Sequence, residues 1–396
     1  MTKLEQLIEQ LCPDGVEYKK LIECISIQRG TRVVRSQLSD NGQYPVYQNS
    51  LTPLGYHNEC NCRKNTTFII VAGAAGDIGY SMVDFWAADD CFCLVCDDNI
   101  ISRYLYHAIL NQQLSIYAKV RKASVPRLGR SVVESIRIPV PPLEVQAEIV
   151  KILDNFTELT AELTAELTAR KKQYEYYRNQ LLNIEANNTF EINKCKLIEI
   201  AEVYDGTHQT PEYKEEGIPF ISVENIANIY SNTKFISSKA YSAYKAKPIV
   251  GDVFMTRIGS IGKCAIMTQQ VDLAYYVSLA LIRPNKEIID SRYLKHYIES
   301  SLGSKELAKR TLHHAVPIKI NKEDIGKIMV SFPSLSMQKK IANVLENFEA
   351  ICSDLNIGLP AEIEARQKQY EYYRDLLLTF AETGGKLADR QTDRLK

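Results

Sequence analysis

"RKKQYEYYRNQLL" (Arg170 to Leu182) and "RQKQYEYYRDLLL" (Arg366 to Leu378) agree at ten of thirteen positions. A stretch of that length occurring twice marks an internal repeat, and a repeat sets the architecture before any other feature is read. The repetition extends outward from these two segments. "KLIECISIQRGT" (Lys20 to Thr31) matches "KLIEIAEVYDGT" (Lys196 to Thr207) without a gap, and "TTFIIVAGAAGDIG" (Thr66 to Gly79) parallels "DVFMTRIGSIGKC" (Asp252 to Cys264). In that pair Phe68, Gly73 and Gly76 answer Phe254, Gly259 and Gly262. "SRYLYHAI" (Ser102 to Ile109) answers "SRYLKHYI" (Ser291 to Ile298), and Val125-Pro126 answers Val316-Pro317. Each half therefore runs strand-rich part, glycine loop, short helix, proline, long helix.

Short apolar runs bounded by turn residues, "FIIV" and "CFCLV" in the first half and "DVFMT" and "VSLALI" in the second, predict strands. After "IPVPPLEVQ" a helical period begins, with Ile149, Ile152, Phe156, Leu159 and Leu163 spaced by three and four as an apolar seam. Ile341, Val344, Phe348, Ile351 and Leu355 repeat the rhythm, and Gly358 with Pro360 predicts a break before "AEIEARQKQY". The tandem "TAELTAEL" (Thr160 to Leu167) inserts a period of four into a seven-residue pattern, and each copy adds about 6 Å of helix. Residues 143–183 would span roughly 60 Å as one helix, more than the roughly 34 Å of a DNA turn.

The expected fold class is α+β: two strand-rich α/β domains separated by two long antiparallel helices, a coiled-coil pair, with internal pseudo-two-fold symmetry. The expected boundaries are 1–142 for the first domain with its N-terminal helix and 143–184 for the first long helix. The second domain takes 185–334, the second helix 335–380, and 381–396 is a polar tail.

Composition narrows the function. The chain of 396 residues carries 48 basic and 48 acidic side chains, so zero net charge argues against a general polyanion binder and permits local basic patches. No run of about 18 apolar residues occurs and "MTKLEQLIEQLCPDG" is no signal peptide, which predicts a cytoplasmic protein. Ten cysteines spread over such a chain are expected to be reduced, with no structural disulfide.

Two similar but diverged domains suit an asymmetric bipartite DNA target with an unread spacer, because paired domains reach two half-sites. The repeated tyrosine helices suit two copies of one partner. Candidate DNA contacts lie in the loops that differ. The glycine loops offer Gly73, Gly76 and Gly259, which permit close backbone approach, with Arg257 and Lys263 beside the second; a plain tight turn between strands is the alternative. "AKVRKASVPRLGR" supplies Lys119, Arg121, Lys122, Arg127 and Arg130, and its counterpart supplies Lys309, Arg310, His313 and His314, for phosphate or base contact or as a solvated charged face. Gln48 and Asn49, and Ser222, Glu224 and Asn225, carry groups able to read adenine and cytosine edges, though turns use the same residues. Other patterns read more plainly. "CNC" (Cys60 to Cys62) and "CFCLVC" (Cys91 to Cys96) lack the usual spacing of a zinc site, so no metal is expected. "GAAGDIG" is not the dinucleotide fingerprint, and His107 and His296 are expected to be structural.

The opener "CPDGVEYKKL", the segment "IPVPPLEVQAEIVKILDNF", the "TAEL" tandem and "RQKQYEYYRDLLL" together resemble the specificity subunit of type I restriction-modification systems, in particular the subclass called IC. The resemblance covers nearly the whole chain. It implies a noncatalytic subunit whose two target recognition domains each read half of a split site. Its partners would be double-stranded DNA, two modification subunits that methylate adenine N6, and restriction subunits that join for cleavage. No cofactor is expected in this chain; S-adenosylmethionine, ATP and Mg belong to the partner subunits. The helix role carries over to Tyr174, Tyr177 and Arg178 and to Tyr370, Tyr373 and Arg374 as positions facing the modification subunits. The chain shows no NPPY-type or DPPY-type motif, no P-loop and no nuclease cluster, in keeping with a noncatalytic role. A partner-assembly scaffold with a coiled-coil spacer and no DNA contact is the other reading.

Overall fold

Two antiparallel sheets, each built from the same four kinds of strand, show how far the repeat persists in three dimensions. A computed structural model of the chain describes residues 2–39, 41–184, 191–231, 234–353 and 358–382. In the first half Ile25–Arg29, Cys91–Cys96, Thr66–Ile70 and Ile78–Ser81 lie side by side in that order; in the second the order is Ala201–Asp205, Leu279–Pro284, Val253–Thr256, Cys264–Ile266. The central strands are apolar almost throughout, as strands covered on both faces must be: Cys91 to Leu94 and Leu279 to Ile282 are all buried. Register follows the repeat, since Phe68 stands opposite Gly79 and Phe254 opposite Ala265. A small mixed sheet (Gly55–His57, Tyr44–Tyr47, Trp86–Ala87) extends the first half, and Phe235–Ile236, Ile218–Ile221 and Ala274–Tyr275 form its equivalent.

Each long helix is rooted in its strand domain by one buried glutamine. The side chain of Gln146 accepts from Ile101 N–H at 2.9 Å and donates to the carbonyls of Asn99 and Pro141, both at 2.8 Å. Gln338 repeats the arrangement with Asp290 N–H, Ile288 O and Pro333 O. Both glutamines are fully buried, and each satisfies three backbone groups at the root of its helix. Beside them the tyrosine hydroxyls of the SRYL helices, Tyr104 and Tyr293, donate to Pro139 O and Ser331 O.

The first long helix is continuous from Leu143 to Leu182, 40 residues or about 60 Å, and begins directly after Pro141-Pro142, which have no N–H to leave unpaired. Val145, Ile149 and Leu153 form its buried stripe against the first strand domain; Ile152 and Phe156, placed in a single seam from the sequence, lie on the adjoining face. The second long helix is two helices, Leu335–Ser353 and Leu359–Leu377, with Gly358 in a bend and Pro360 in the first turn of the restart.

The compact units do not coincide with the sequence repeats. One unit comprises Met1–Leu163 with Ile363–Lys396, the other Thr164–Glu362. The tyrosine helix of each repeat therefore belongs to the unit formed around the other repeat's strand domain. In the first unit Phe156 stacks on Tyr373 with centroids 5.2 Å apart, while Ile152 shares a groove with Leu376 and Leu377. In the second, Tyr177 meets Phe348 at 5.8 Å, and Arg170 and Lys171 lie near Cys352. Residue numbers rise along one helix as they fall along the other, so the helices run antiparallel in both units.

Candidate nucleic-acid interface

In the first unit three loops meet at one end of the large sheet. The glycine loop leaves strand Thr66–Ile70, and Gly73 takes a φ of +85°, with Asn49 so close that a Cβ would collide with it. Gly73 N–H donates to Pro126 O at 3.2 Å, Leu128 N–H to Val71 O at 2.9 Å, and Ala74 N–H to Asn49 O at 2.9 Å. Residues 121 and 127 close a hairpin through reciprocal backbone bonds of 2.9 and 3.2 Å. Directly opposed residues of an antiparallel ladder project to one face, so Arg121 and Arg127 stand together with Lys122 beside them. All three are exposed, as is Lys119, and among the described residues no acid pairs with them. Gln48 is half-buried at the edge of this ledge and Asn49 is exposed on it.

The second unit repeats the backbone and changes the side chains. Gly259 N–H donates to Ile318 O at 2.9 Å, Ile320 N–H to Arg257 O at 3.0 Å, and Leu312 N–H to Lys319 O at 2.8 Å. The hairpin is one residue longer than its counterpart, so Pro126 corresponds in space to Ile318 and not to Pro317. That shift hid Lys319 from the sequence comparison; it is exposed and stands at the place of Arg127. His313, whose Nε2 approaches Ala308 O at 3.2 Å, and His314 are exposed near the tip, and Lys263 and Gly259 are exposed on the adjoining loop.

Several residues proposed for DNA from sequence have partners within the protein. Arg257 is buried, paired with Asp205 and bonded through Nε to Ile320 O at 3.1 Å; the corresponding positions in the first domain are Arg29 and Val71, so nothing in the repeat signalled this ion pair. Lys309 and Arg310 share the carboxylate of Glu306 at 2.5 and 2.8 Å. Arg130 bonds Glu134 at 2.8 Å and Ile27 O at 3.1 Å. Gly76 is buried under the Tyr117 ring, which a Cβ would meet at 2.7 Å, so it serves helix packing. Asn225 caps its own turn, accepting from Ser222 N–H at 3.0 Å and donating to Ser231 O at 3.1 Å, and Glu224 lies 3.6 Å from Lys234. Ser278 ties this turn to the glycine loop: its Oγ accepts from Val223 N–H and its carbonyl from Arg257 N–H.

The tyrosine helices also divide by face. Tyr370 is half-buried and its hydroxyl lies 3.0 Å from His107 Nδ1, whose Nε2 is 2.9 Å from Asp154; Arg103 closes the cluster at 2.8 Å from the same carboxylate. Tyr174 is buried with its hydroxyl 3.2 Å from His296 Nδ1, but there Nε2 has no partner. Burial first, then the positive charge of Lys295, pushes His296 down to about 4, and burial likewise lowers His107. Arg178 and Arg374 cover the Tyr174 and Tyr370 rings at 5.1 and 5.4 Å, and Arg374 also bonds Asn111 at 3.1 Å. These four side chains serve the unit's own packing, because i and i+4 fall on the inward face. Tyr177 and Tyr373 remain 40% and 39% exposed, with Tyr176 and Tyr372 more so.

The description of the family model that matches residues 13–170 and 190–365 is type I restriction modification DNA specificity domain. The chain belongs to the type I restriction-modification specificity family. It is 33% identical over 405 residues to the specificity subunit of the type I restriction enzyme EcoR124I/EcoR124II of Escherichia coli, covering 96% of this chain and 97% of that one. A provisionally named type I restriction enzyme specificity subunit of Haemophilus influenzae is 31% identical over 407 residues, covering 96% and 99%. The crystal structure of a type I restriction-modification S subunit from M. genitalium shares the fold, with a TM-score of 0.62 at 16% identity over 92% of this chain and 96% of that chain.

Within this family member the two model matches follow the sequence repeats, each running from a strand domain into its own long helix, and so cut across the compact units. The expectation of wholly reduced cysteines is corrected: Cys62 and Cys93 form a disulfide. The strand Cys91–Cys96 turns Cys93 toward the loop whose Cys62 pairs with Phe85 through two backbone bonds of 3.0 Å, a proximity that compartment-based reasoning cannot see. Among the described residues no three His, Cys, Asp or Glu side chains gather as a metal site, and no helix is long and apolar enough to cross a membrane.

Proposed function

We propose that the chain is the noncatalytic DNA-specificity subunit of a type I restriction-modification complex, and that each strand domain reads one half of an asymmetric bipartite site through its glycine loop and hairpin. The observation that carries this reading is the platform itself. Three corresponding backbone bonds tie glycine loop to hairpin in each unit, across hairpins that differ in length by one residue, while the exposed side chains differ, as two readers of unlike half-sites require.

The long helix acts as the spacer ruler, a role supported by the boundary between the units, which falls between Leu163 and Thr164 inside the TAEL tandem. The exposed tyrosines Tyr176, Tyr177, Tyr372 and Tyr373 present one surface twice and receive two modification subunits, to which restriction subunits are added for cleavage. S-adenosylmethionine, ATP and Mg act in those partners, and the adenines are methylated after leaving the base stack.

The test is methylation profiling of DNA from cells that carry this gene with its modification subunit, before and after deletion of one TAEL unit. The expected result is a bipartite adenine motif whose spacer shortens by one to two base pairs, since four residues remove about 6 Å of helix and a base-pair step is about 3.4 Å. Both half-sites persist. A changed half-site would place base reading in the helix, and absence of any motif would favour the scaffold reading.

A further inference from the structure

The two hairpins are tied to their glycine loops by corresponding backbone bonds and differ in electrostatic state. In the first, Arg121 and Arg127 oppose each other across the ladder, Lys122 adjoins them and Lys119 precedes them, with no paired acid among the described residues. Like charges placed directly opposite destabilise a ladder. Their positions are nevertheless fixed by two reciprocal backbone bonds and by the Gly73 bond to Pro126. In the second hairpin the opposed residues are Leu312 and Lys319, and the two cations before it share one carboxylate, Glu306, which offsets one of their two charges. That carboxylate also accepts Met329 N–H at 3.2 Å and is half-buried, so surrendering Lys309 and Arg310 to a ligand would leave it exposed to the cost of an uncompensated charge.

We propose that the two domains grip DNA unequally: the first clamps phosphates through four unpaired cations, Lys119, Arg121, Lys122 and Arg127, whereas the second, among the described residues of its glycine loop and hairpin, offers only Lys263 and Lys319 unpaired and relies less on phosphates. This rests on the DNA-reading assignment above. A polyanion relieves the repulsion built into the first hairpin, and in a chain of zero net charge this patch supplies local attraction that the whole molecule lacks. Each cation that neutralises a phosphate adds about 0.9 to the slope of log K against log salt, whereas a cation already paired within the protein releases no counterion.

The test is fluorescence anisotropy of the full chain on a random-sequence 40-bp duplex (length on the order of a footprint) between 50 and 200 mM salt. Phosphate contacts need no target sequence, so this probe suffices. The variant Arg121→Gln/Lys122→Gln/Arg127→Gln is expected to lower the salt slope by about 2.7, while Lys309→Gln/Arg310→Gln changes it by less than about one. Relief of the opposed charges should leave the thermal midpoint of the first variant unchanged or raised. Equal losses of slope in the two variants, an unchanged slope in the first, or a lowered midpoint would each overturn the unequal grip while leaving the DNA-reading assignment intact. Failure of the parent chain to retain the duplex even at 50 mM would remove both.

Discussion

At the scale of single residues the repeat is imperfect where it matters for stability. His107 has a hydroxyl on one ring nitrogen and a carboxylate on the other, but His296 has Tyr174 on Nδ1 and nothing on Nε2. Tyr174→Phe therefore leaves a fully buried imidazole without any partner, while Tyr370→Phe leaves His107 its Asp154. We expect losses of about 2 and about 1 kcal/mol respectively, measured by urea unfolding. Equal losses would mean that the hydroxyls act by packing alone. The lowered His296 value also has a direction in pH. The folded state keeps this imidazole neutral, so its contribution is present above the ordinary histidine range and is lost as pH falls from about 6.5 toward about 4. Unfolding followed by Tyr fluorescence across that window should show acid weakening, which His296→Gln diminishes.

At the scale of elements the buried glutamines are the clearest determinants of where the long helices start. Gln146→Leu or Gln338→Leu retains the bulk but strips three backbone groups of their partner, and each should cost on the order of 3 kcal/mol in calorimetric unfolding. A loss below about 1 kcal/mol would show that water enters the helix root. The hairpins teach the complementary lesson. The cationic pattern of "AKVRKASVPRLGR" was legible and four of its five cations are exposed and unpaired, but Arg130, though also exposed, is paired, because Glu134 one turn later and Ile27 O both lie within its reach. In the second hairpin a single inserted residue moved the register, so matching proline to proline concealed Lys319.

At the scale of the molecule the exchange of tyrosine helices between units makes each unit incomplete in sequence. A fragment ending near Asn187 retains the first strand domain and its long helix but lacks Tyr370 and Arg374, leaving the His107 site open. Ten identities in thirteen positions equip its own Tyr174 helix to fill the same site in a second copy, so light scattering should find the fragment as a two-fold dimer. A well-folded monomer would instead show that the His107 site does not require a tyrosine helix.

Sequence alone determined the duplication, the α+β character, the long helix and its interrupted counterpart, because apolar periodicity and Gly or Pro punctuation act locally and survive without tertiary context. It also brought out the glycine loops and the cationic hairpin, since those rest on residue types and short spacing. Which repeat's helix completes which domain was decided only in three dimensions: near-identical helices satisfy either site by composition, and chain connectivity with antiparallel packing selects between them. The same holds for Arg257 and the Cys62–Cys93 bond, whose partners are set by sheet register and loop packing, whereas Glu306 stands three and four residues before Lys309 and Arg310, a local helical spacing. A side chain's chemistry is written in the sequence, but whether that chemistry is spent inside the fold or left at the surface depends on what the fold brings within about 3 Å of it.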